Sequence, residues 1–144
     1  MTNGISILAH TAPESGVGAL QRISDHVAGA LGPAIVSRTI AFGELTLVVQ
    51  ASDIVYALTY LRDDPACAFR CFIDICGADY PARAKRFDVV YHLLSLRHNA
   101  RIRVKVQTDD QTPVPSVIEV FPAANWFERE TYDLYGILFS GHPD

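Results

Sequence analysis

Arg101-Ile102-Arg103-Val104-Lys105-Val106-Gln107 alternates charged or polar and branched apolar side chains without a break. Successive side chains of a strand point to opposite faces, so this stretch predicts a strand with Ile102, Val104 and Val106 turned to a core and Arg101, Arg103 and Lys105 turned to water. Upstream, Phe87 to Leu96 is a second β-rich run, joined to the first by the turn Arg97-His98-Asn99. An antiparallel pair with one wet face therefore stands at the centre of the predicted fold.

Working towards the N-terminus, Phe69 to Cys76 reads as a strand and Gly77 to Lys85 as a long turn. Before these, Ile54, Val55, Leu58 and Leu61 recur at helical spacing, with Ser52 or Asp53 as N-cap and Asp63-Asp64-Pro65 as the stop. Ala34 to Ala41 and the run around Leu45, Leu47 and Val49 form a predicted hairpin about Phe42-Gly43. Leu20, Ile23, Val27 and Leu31 mark a first helix over Ala19 to Leu31, closed by Gly32-Pro33, and residues 1–17 read as a loose lead-in. Towards the C-terminus, residues 113–144 hold a connection with Pro113, Pro115 and Pro122 and then a short helix. The predicted class is α+β, a single domain over residues 1–144. It has a mainly antiparallel sheet of about five strands, helices packed on one face, and a short C-terminal helix.

The totals narrow the function. With 144 residues the chain suits one domain, and a formal charge of -4 argues against nucleic acid as the main partner. No apolar run approaches the roughly 20 residues of a membrane span, and Met1 to His10 lacks the charged start and small-residue cleavage site of a signal peptide. The expectation is a soluble, cytoplasmic chain. Cys67, Cys71 and Cys76 are odd in number and spaced C-x3-C-x4-C, which supplies neither a disulfide framework nor four cluster ligands. An odd offset on one strand should send Cys71 and Cys76 to opposite faces. His10, His26, His92, His98 and His142 show no H-x3-H or H-E-x2-H spacing, and no glycine-rich phosphate loop occurs. No catalytic, cofactor-binding or metal-binding residue is therefore expected in this chain.

The C-terminal helix carries the densest signal: Asn125-Trp126-Phe127-Glu128-Arg129-Glu130-Thr131-Tyr132-Asp133-Leu134-Tyr135-Gly136-Ile137. Asn125 and Glu128 have the spacing of a capping box, and Gly136 with Ile137 that of a left-handed C-terminal cap. At 100° per residue, Trp126, Arg129, Glu130 and Asp133 share an arc, with Phe127 and Leu134 beside it and Glu128, Tyr132 and Tyr135 on the other side. An indole beside an ion pair and a spare carboxylate suits a docking face, and a solvated charged face with one core tryptophan is the alternative. Glu130 and Asp133 as a catalytic acid and base lack a cleft to shift one of them, and Arg129 is a simpler partner. The turn Asp79-Tyr80-Pro81-x-Arg83 with Arg86-Phe87 reads as self-satisfied, Asp79 bonding nearby backbone amides.

Two blocks carry a family resemblance. Trp126-x-Glu128-Arg129-Glu130-x2-Asp133-x2-Gly136-Ile137-x-Phe139-x-Gly141-His142-Pro143 closely resembles the signature of the thirty-kilodalton subunit family of respiratory complex I. Asp79-Tyr80-Pro81-x-Arg83-x2-Arg86-Phe87-x-Val89-Val90-Tyr91-x-Leu93-Leu94-Ser95-Leu96 resembles its central block, and Pro115-Ser116-Val117 its linker. The resemblance implies a non-catalytic structural subunit in the hydrophilic arm of a proton-pumping NADH:quinone oxidoreductase, a translocase. It would lie peripherally on the cytoplasmic side of the inner membrane. Its partners would be the quinone-site subunit and the iron-sulfur subunits, with FMN and the iron-sulfur clusters held by those other chains. It further implies a partner interface at Trp126, Glu128, Arg129, Glu130, Asp133 and His142, and a structural cap at Asn125, Gly136 and Pro143. Family members continue past His142-Pro143 with a basic segment, so the resemblance is to a C-terminally shortened member. A homologous subunit of a membrane-bound hydrogenase or related dehydrogenase, and a free-standing small-ligand binding module, are the rival readings.

Overall fold

Leu20, Ile23, Ser24, Val27 and Leu31 form a buried stripe along the first helix, α1 (Gly16–Leu31), in a computed structural model that describes residues 16–143. The helix thus includes residues 16 and 17 of the expected lead-in, and the rest of that lead-in lies outside the described residues. Gly32, at φ 51°, breaks α1, and a single 3₁₀ turn over Gly32–Ala34 leads into β1 (Ile35–Ala41). A two-residue turn then folds the chain back into β2 (Glu44–Val49), with Phe42 at φ 53° and Gly43 at φ 75°. Both positive angles belong to the tight turn whose twist matches paired strands. Phe42 meets that requirement without glycine's freedom and is fully exposed.

A 3₁₀ turn over Ala51–Asp53 runs directly into α2 (Ile54–Asp63), which buries Ile54, Ala57, Leu58 and Leu61. Asp53 occupies the N-cap position, but its side chain makes no capping hydrogen bond. Three long strands follow: β3 (Cys71–Asp79), β4 (Phe87–Ser95) and β5 (Ala100–Thr108). Strand β3 runs three residues further than its apolar content suggests, because Gly77, Ala78 and Asp79 stay in register with Val89, Asp88 and Phe87.

The five strands lie in the order β1-β2-β5-β4-β3. Every neighbouring pair is antiparallel except β2 and β5, which are parallel, with Leu45 beside Ile102 and Leu47 beside Val104. Leu45, Leu47, Val89, Tyr91, Leu93, Ile102, Val104 and Val106 face one side of the sheet and join the stripes of α1 and α2 in one buried cluster. The α+β arrangement expected from the alternation of Ile102, Val104 and Val106 is thereby seen, helices and core sharing one face. Arg103, expected in water, is instead half-buried on the other face and donates to Glu44 at 3.0 Å.

A bulge between Phe72 and Asp74 changes the reading of the cysteines. Paired residues of neighbouring strands share a face, and Cys71 lies beside Leu94 while Cys76 lies beside Val90. Leu94 and Val90 are four apart on β4, so Cys71 and Cys76 point to the same face, away from the helices, not to opposite faces as simple alternation requires. The extra residue lets Phe72 and Ile75 both reach the core side.

Beyond the main sheet, β6 (Val114–Pro115) and β7 (Phe139–Ser140) pair in parallel on either side of α3 (Ala124–Tyr135). The α3 helix packs on β3: the rings of Phe72 and Phe127 lie 5.9 Å apart, and those of Phe87 and Tyr135 lie 6.2 Å apart.

Candidate functional site

The chain enters α3 through a series of tight turns. Ala124 N–H donates to the Phe121 carbonyl at 2.9 Å and Asn125 N–H to that of Pro122 at 3.2 Å. Those first amides are already satisfied, so no capping side chain is used. The N-cap is Ala123, not Asn125, and the expected capping box does not form. At the other end Gly136 takes φ 74° and ψ 17°, and its N–H donates to the Tyr132 carbonyl at 2.7 Å. This is the left-handed cap that glycine adopts without a Cβ penalty. Ile137 follows, fully buried.

Ala124, Glu128, Thr131 and Tyr135 form the inward stripe, at the i, i+4, i+7, i+11 spacing of one helix face. Glu128 is fully buried, which removes it from the expected partner interface. Its carboxylate accepts from Ser116 Oγ at 2.7 Å and from Val117 N–H at 2.8 Å. Burial raises its pKa above the usual glutamate value, and those two hydrogen bonds and the nearby His142 pull it back only in part. A carboxylate is worth burying here because β6 leaves the Ser116–Val117 donors pointing at α3 with no strand to receive them. Thr131 returns its hydroxyl to the Phe127 carbonyl at 2.7 Å. Tyr135 closes against Gly77, where an added Cβ would lie 2.7 Å from the ring.

Strand β7 brings the end of the chain back over this anchor. Val114 N–H donates to the Leu138 carbonyl at 2.8 Å and Ser116 N–H to that of Ser140 at 2.9 Å. His142 is then half-buried, its Nε2 donating to the Asn125 carbonyl at 3.1 Å. Pro143 is exposed. Asn125 thus serves the chain end through its backbone oxygen.

The outward face of α3 carries Trp126, 66% exposed, Leu134, 71% exposed, and Tyr132, 51% exposed, together with exposed Arg129, Glu130 and Asp133. Trp126 is therefore no core tryptophan. Tyr132, placed with Glu128 on the far side by helical spacing, instead faces solvent. Beside this face lies a hollow of about 270 Å³, lined by Glu128, Arg129, Tyr132, Leu138, Phe139 and His142. Leu138 and Tyr132 make its rim partly apolar, a feature that sequence periodicity does not show because Leu138 belongs to the loop after the helix.

The strand-turn-strand block is held by arginines. Arg86 grips Asp79 through two bonds of 3.0 and 2.7 Å, so Asp79 is satisfied by a guanidinium, not by backbone amides as expected. That hydrogen bonding holds the Asp79 carboxyl below its usual range. Arg83 pairs with buried Asp88 and lies over the Tyr80 ring, 4.2 Å from its centroid. Among the described residues two groups have metal-ligand chemistry, His26 with Asp64 and Cys67, and Asp74 with Cys76 and His92. Each contains a single cysteine, so the three thiols do not converge on one site.

The chain is thus an α+β scaffold that spends one buried carboxylate to fix a helix and leaves that helix's aromatic and charged face outside. Residues 47–144 match the family described as respiratory-chain NADH dehydrogenase, 30 Kd subunit. The C subunit of the NADH-quinone oxidoreductase of Methylobacterium radiotolerans is 82% identical over 144 residues, covering 100% of this chain and 67% of that one. Its counterpart in Methylobacterium sp. strain 4-46 is 78% identical over the same span, and that of Xanthobacter autotrophicus is 62% identical over 125 residues, covering 87% of this chain and 60% of that one. The chain belongs to the respiratory-chain NADH dehydrogenase 30 Kd subunit family, and spans about two thirds of the length of the two Methylobacterium relatives. A chain of the archaeal membrane-bound sulfane sulfur reductase, a respiratory membrane complex, shares the fold with a TM-score of 0.73 at 24% identity, over 85% of this chain and 71% of that one. No helix among the described residues is long and apolar enough to cross a membrane.

Proposed function

We propose that this chain is a non-catalytic structural subunit of the hydrophilic arm of a proton-pumping NADH:quinone oxidoreductase, seated peripherally on the cytoplasmic side of the membrane. The observation that carries this reading is the identity to the NADH-quinone oxidoreductase relatives, at 82% over the whole chain, and the exposed aromatic side chains on the outward face of α3 support it. Its partners are the quinone-site subunit and the iron-sulfur subunits, and FMN and the clusters belong to other chains of the complex. Electron transfer from NADH to quinone then depends on this chain only for the placement of those carriers.

The interface centres on Trp126, with Leu134 and Tyr132 as apolar neighbours and Arg129, Glu130 and Asp133 as its polar surround. Large aromatics and arginine dominate binding energy at such patches because they desolvate much area at small entropic cost. Glu128 and His142 support this face from beneath and from one end, through Ser116, Val117 and the Asn125 carbonyl.

The test replaces Trp126 by Ala and Arg129 by Glu in the full chain and measures two things: thermal unfolding of the purified chain, and its recovery in the assembled complex. Exposed positions change stability within about 0.5 kcal/mol, so unfolding stays near that of the parent while assembly drops. A chain that melts early but assembles normally would refute the assignment.

A further inference from the structure

Away from α3, three elements converge on one carboxylate. Asp64 forms the C-cap of α2, His26 projects from α1 and Tyr60 from the last turn of α2. His26 Nε2 lies 3.0 Å from Asp64 Oδ2 and 2.8 Å from the Tyr60 hydroxyl, and the His26 and Tyr60 rings stack with centroids 6.2 Å apart. The backbone after Asp64 is wound tightly. Cys67 and Ala68 N–H groups both donate to the Asp64 carbonyl, at 3.0 and 2.7 Å, and the Ala66 N–H donates to Asp64 Oδ2 at 3.2 Å. Ala68 takes φ 50° to complete the turn. The turn places the fully buried Cys67 thiol beside the same carboxylate.

One donor atom each from His26, Asp64 and Cys67 lies within 4.8 Å of the other two. A tetrahedral zinc ion, with bonds of about 2.0–2.1 Å to nitrogen, 2.0–2.2 Å to oxygen and 2.3 Å to sulfur, sets its donors about 3.4–3.6 Å apart, so three donors this close need only a small inward movement to hold one ion. We propose that His26, Asp64 and Cys67 form a binding site for a divalent, borderline-soft cation of the zinc class, with the Tyr60 hydroxyl or a water in the fourth position.

The charges close. An Asp64 carboxylate and a Cys67 thiolate neutralise the dication, and neutral His26 supplies a lone pair. Burial first, and the Asp64 charge second, push the Cys67 thiol up to about 12, so it carries its proton at neutral pH. Metal entry expels that proton to solvent while the sulfur's electron pair binds the ion, and affinity therefore rises with pH. Arg62, on the same end of α2, is taken up by Asp63 at 2.7 and 3.0 Å and by the Val120 carbonyl at 2.8 Å. The second trio, Asp74, Cys76 and His92, has similar donors in the same compass. There, however, Arg103 stands directly across from His92 and its charge reaches Cys76. Arg103 is itself paired with Glu44 at 3.0 Å, but Cys76 is exposed where Cys67 is fully buried and shielded from competing water, so the His26 cluster is the one proposed to bind. Once filled, the site clips α1 to the end of α2.

The experiment titrates the full chain, reduced and stripped with a chelator, first with cobalt(II) and then with zinc. One equivalent of cobalt produces a near-ultraviolet thiolate-to-metal charge-transfer band, and zinc abolishes that band and raises the thermal midpoint. His26→Ala, at an exposed position, weakens zinc binding by more than the roughly 10–100-fold that loss of an outer-shell partner costs. Cys67→Ser removes the band, and the double variant Cys76→Ser, His92→Ala keeps it. A folded parent chain that gives no band overturns the proposal, as does loss of the band in the Cys76, His92 variant. Should Cys67→Ser fail to fold, His26→Ala decides, because unchanged zinc affinity in that variant refutes the site.

Discussion

Replacing Glu128 by Ala would leave the Ser116 hydroxyl and the Val117 N–H, now bonded at 2.7 and 2.8 Å, facing an apolar gap under α3. Hydrogen bonds to a charged group are each worth about 1.5–3 kcal/mol, and a stranded buried donor costs about 1–3 kcal/mol. Part of that is already offset, since burying the carboxylate is itself unfavourable and raises its pKa. A net loss of about 2–4 kcal/mol is expected, a fall in thermal midpoint on the order of 10 °C for a chain of this size. Glu128→Gln keeps the shape and one acceptor but turns an NH₂ towards one of the two donors, and should cost about 1–2 kcal/mol.

The pH dependence separates these variants further. Folding raises the Glu128 pKa, so the folded chain holds that proton more tightly than the unfolded chain does. The resulting stability is fully present below the ordinary glutamate value of 4.5 and is lost as pH rises through the raised folded value. Acidification through that window should therefore favour the parent over Glu128→Gln. Far-ultraviolet circular dichroism melts suit the assay, because Trp126 is already 66% exposed and reports unfolding poorly. An unchanged melt for Glu128→Ala, or a parent-to-Gln difference flat across the window, would show that the buried carboxylate does not anchor the helix.

Gly77→Ala sets a Cβ 2.7 Å from two Tyr135 ring carbons, and about 1–3 kcal/mol of overpacking should appear in urea unfolding, largely relieved when Tyr135→Ala is added. Gly136→Ala forces a side chain to φ 74° and should cost about 1–2 kcal/mol by the same measurement. Phe42→Asn should stabilise by about 1 kcal/mol, since the ring is fully exposed and asparagine accepts φ 53° more readily; a lower denaturation midpoint would contradict this. Asp79→Asn removes the Arg86 pair, whose contribution exists above the ordinary aspartate value and fades as pH falls through the lowered folded one. Its melting deficit should therefore be largest near neutral pH and close in acid, and a deficit independent of pH would exclude the pair as its cause.

Long alternating or helical runs were readable from the chain alone. Ile102, Val104 and Val106 announce a half-wet strand, and Leu20, Ile23, Val27 and Leu31 a helix, because each pattern repeats at the period of its backbone. Strand order was not, since pairing Leu45 with Ile102 depends on a crossover that no local pattern encodes. The bulge after Phe72 was equally silent, and it moved Cys71 and Cys76 to one face. In the candidate site, spacing found the outward arc of Trp126, Arg129, Glu130 and Asp133 and set Glu128 and Tyr135 on the other side, but gave no sign that this other side is the buried one. Ala124, Glu128 and Thr131 are not strongly apolar, so a search by hydrophobicity passes over the side that is buried. Glu128 is inside for a tertiary reason, the two donors left by Ser116 and Val117, and that becomes visible only once β6 is placed.

The parallel contact between β2 and β5 has a temporal side. A ribosome releases residues 44–49 long before residues 100–108, and until the later segment arrives one flank of the early hairpin has no neighbour to bond. The nascent N-terminal half therefore carries an open, sticky edge of Leu45 and Leu47 that only the chain's own later residues can seal. Premature termination anywhere before Thr108 should leave a fragment that clumps or is degraded, instead of a smaller working domain.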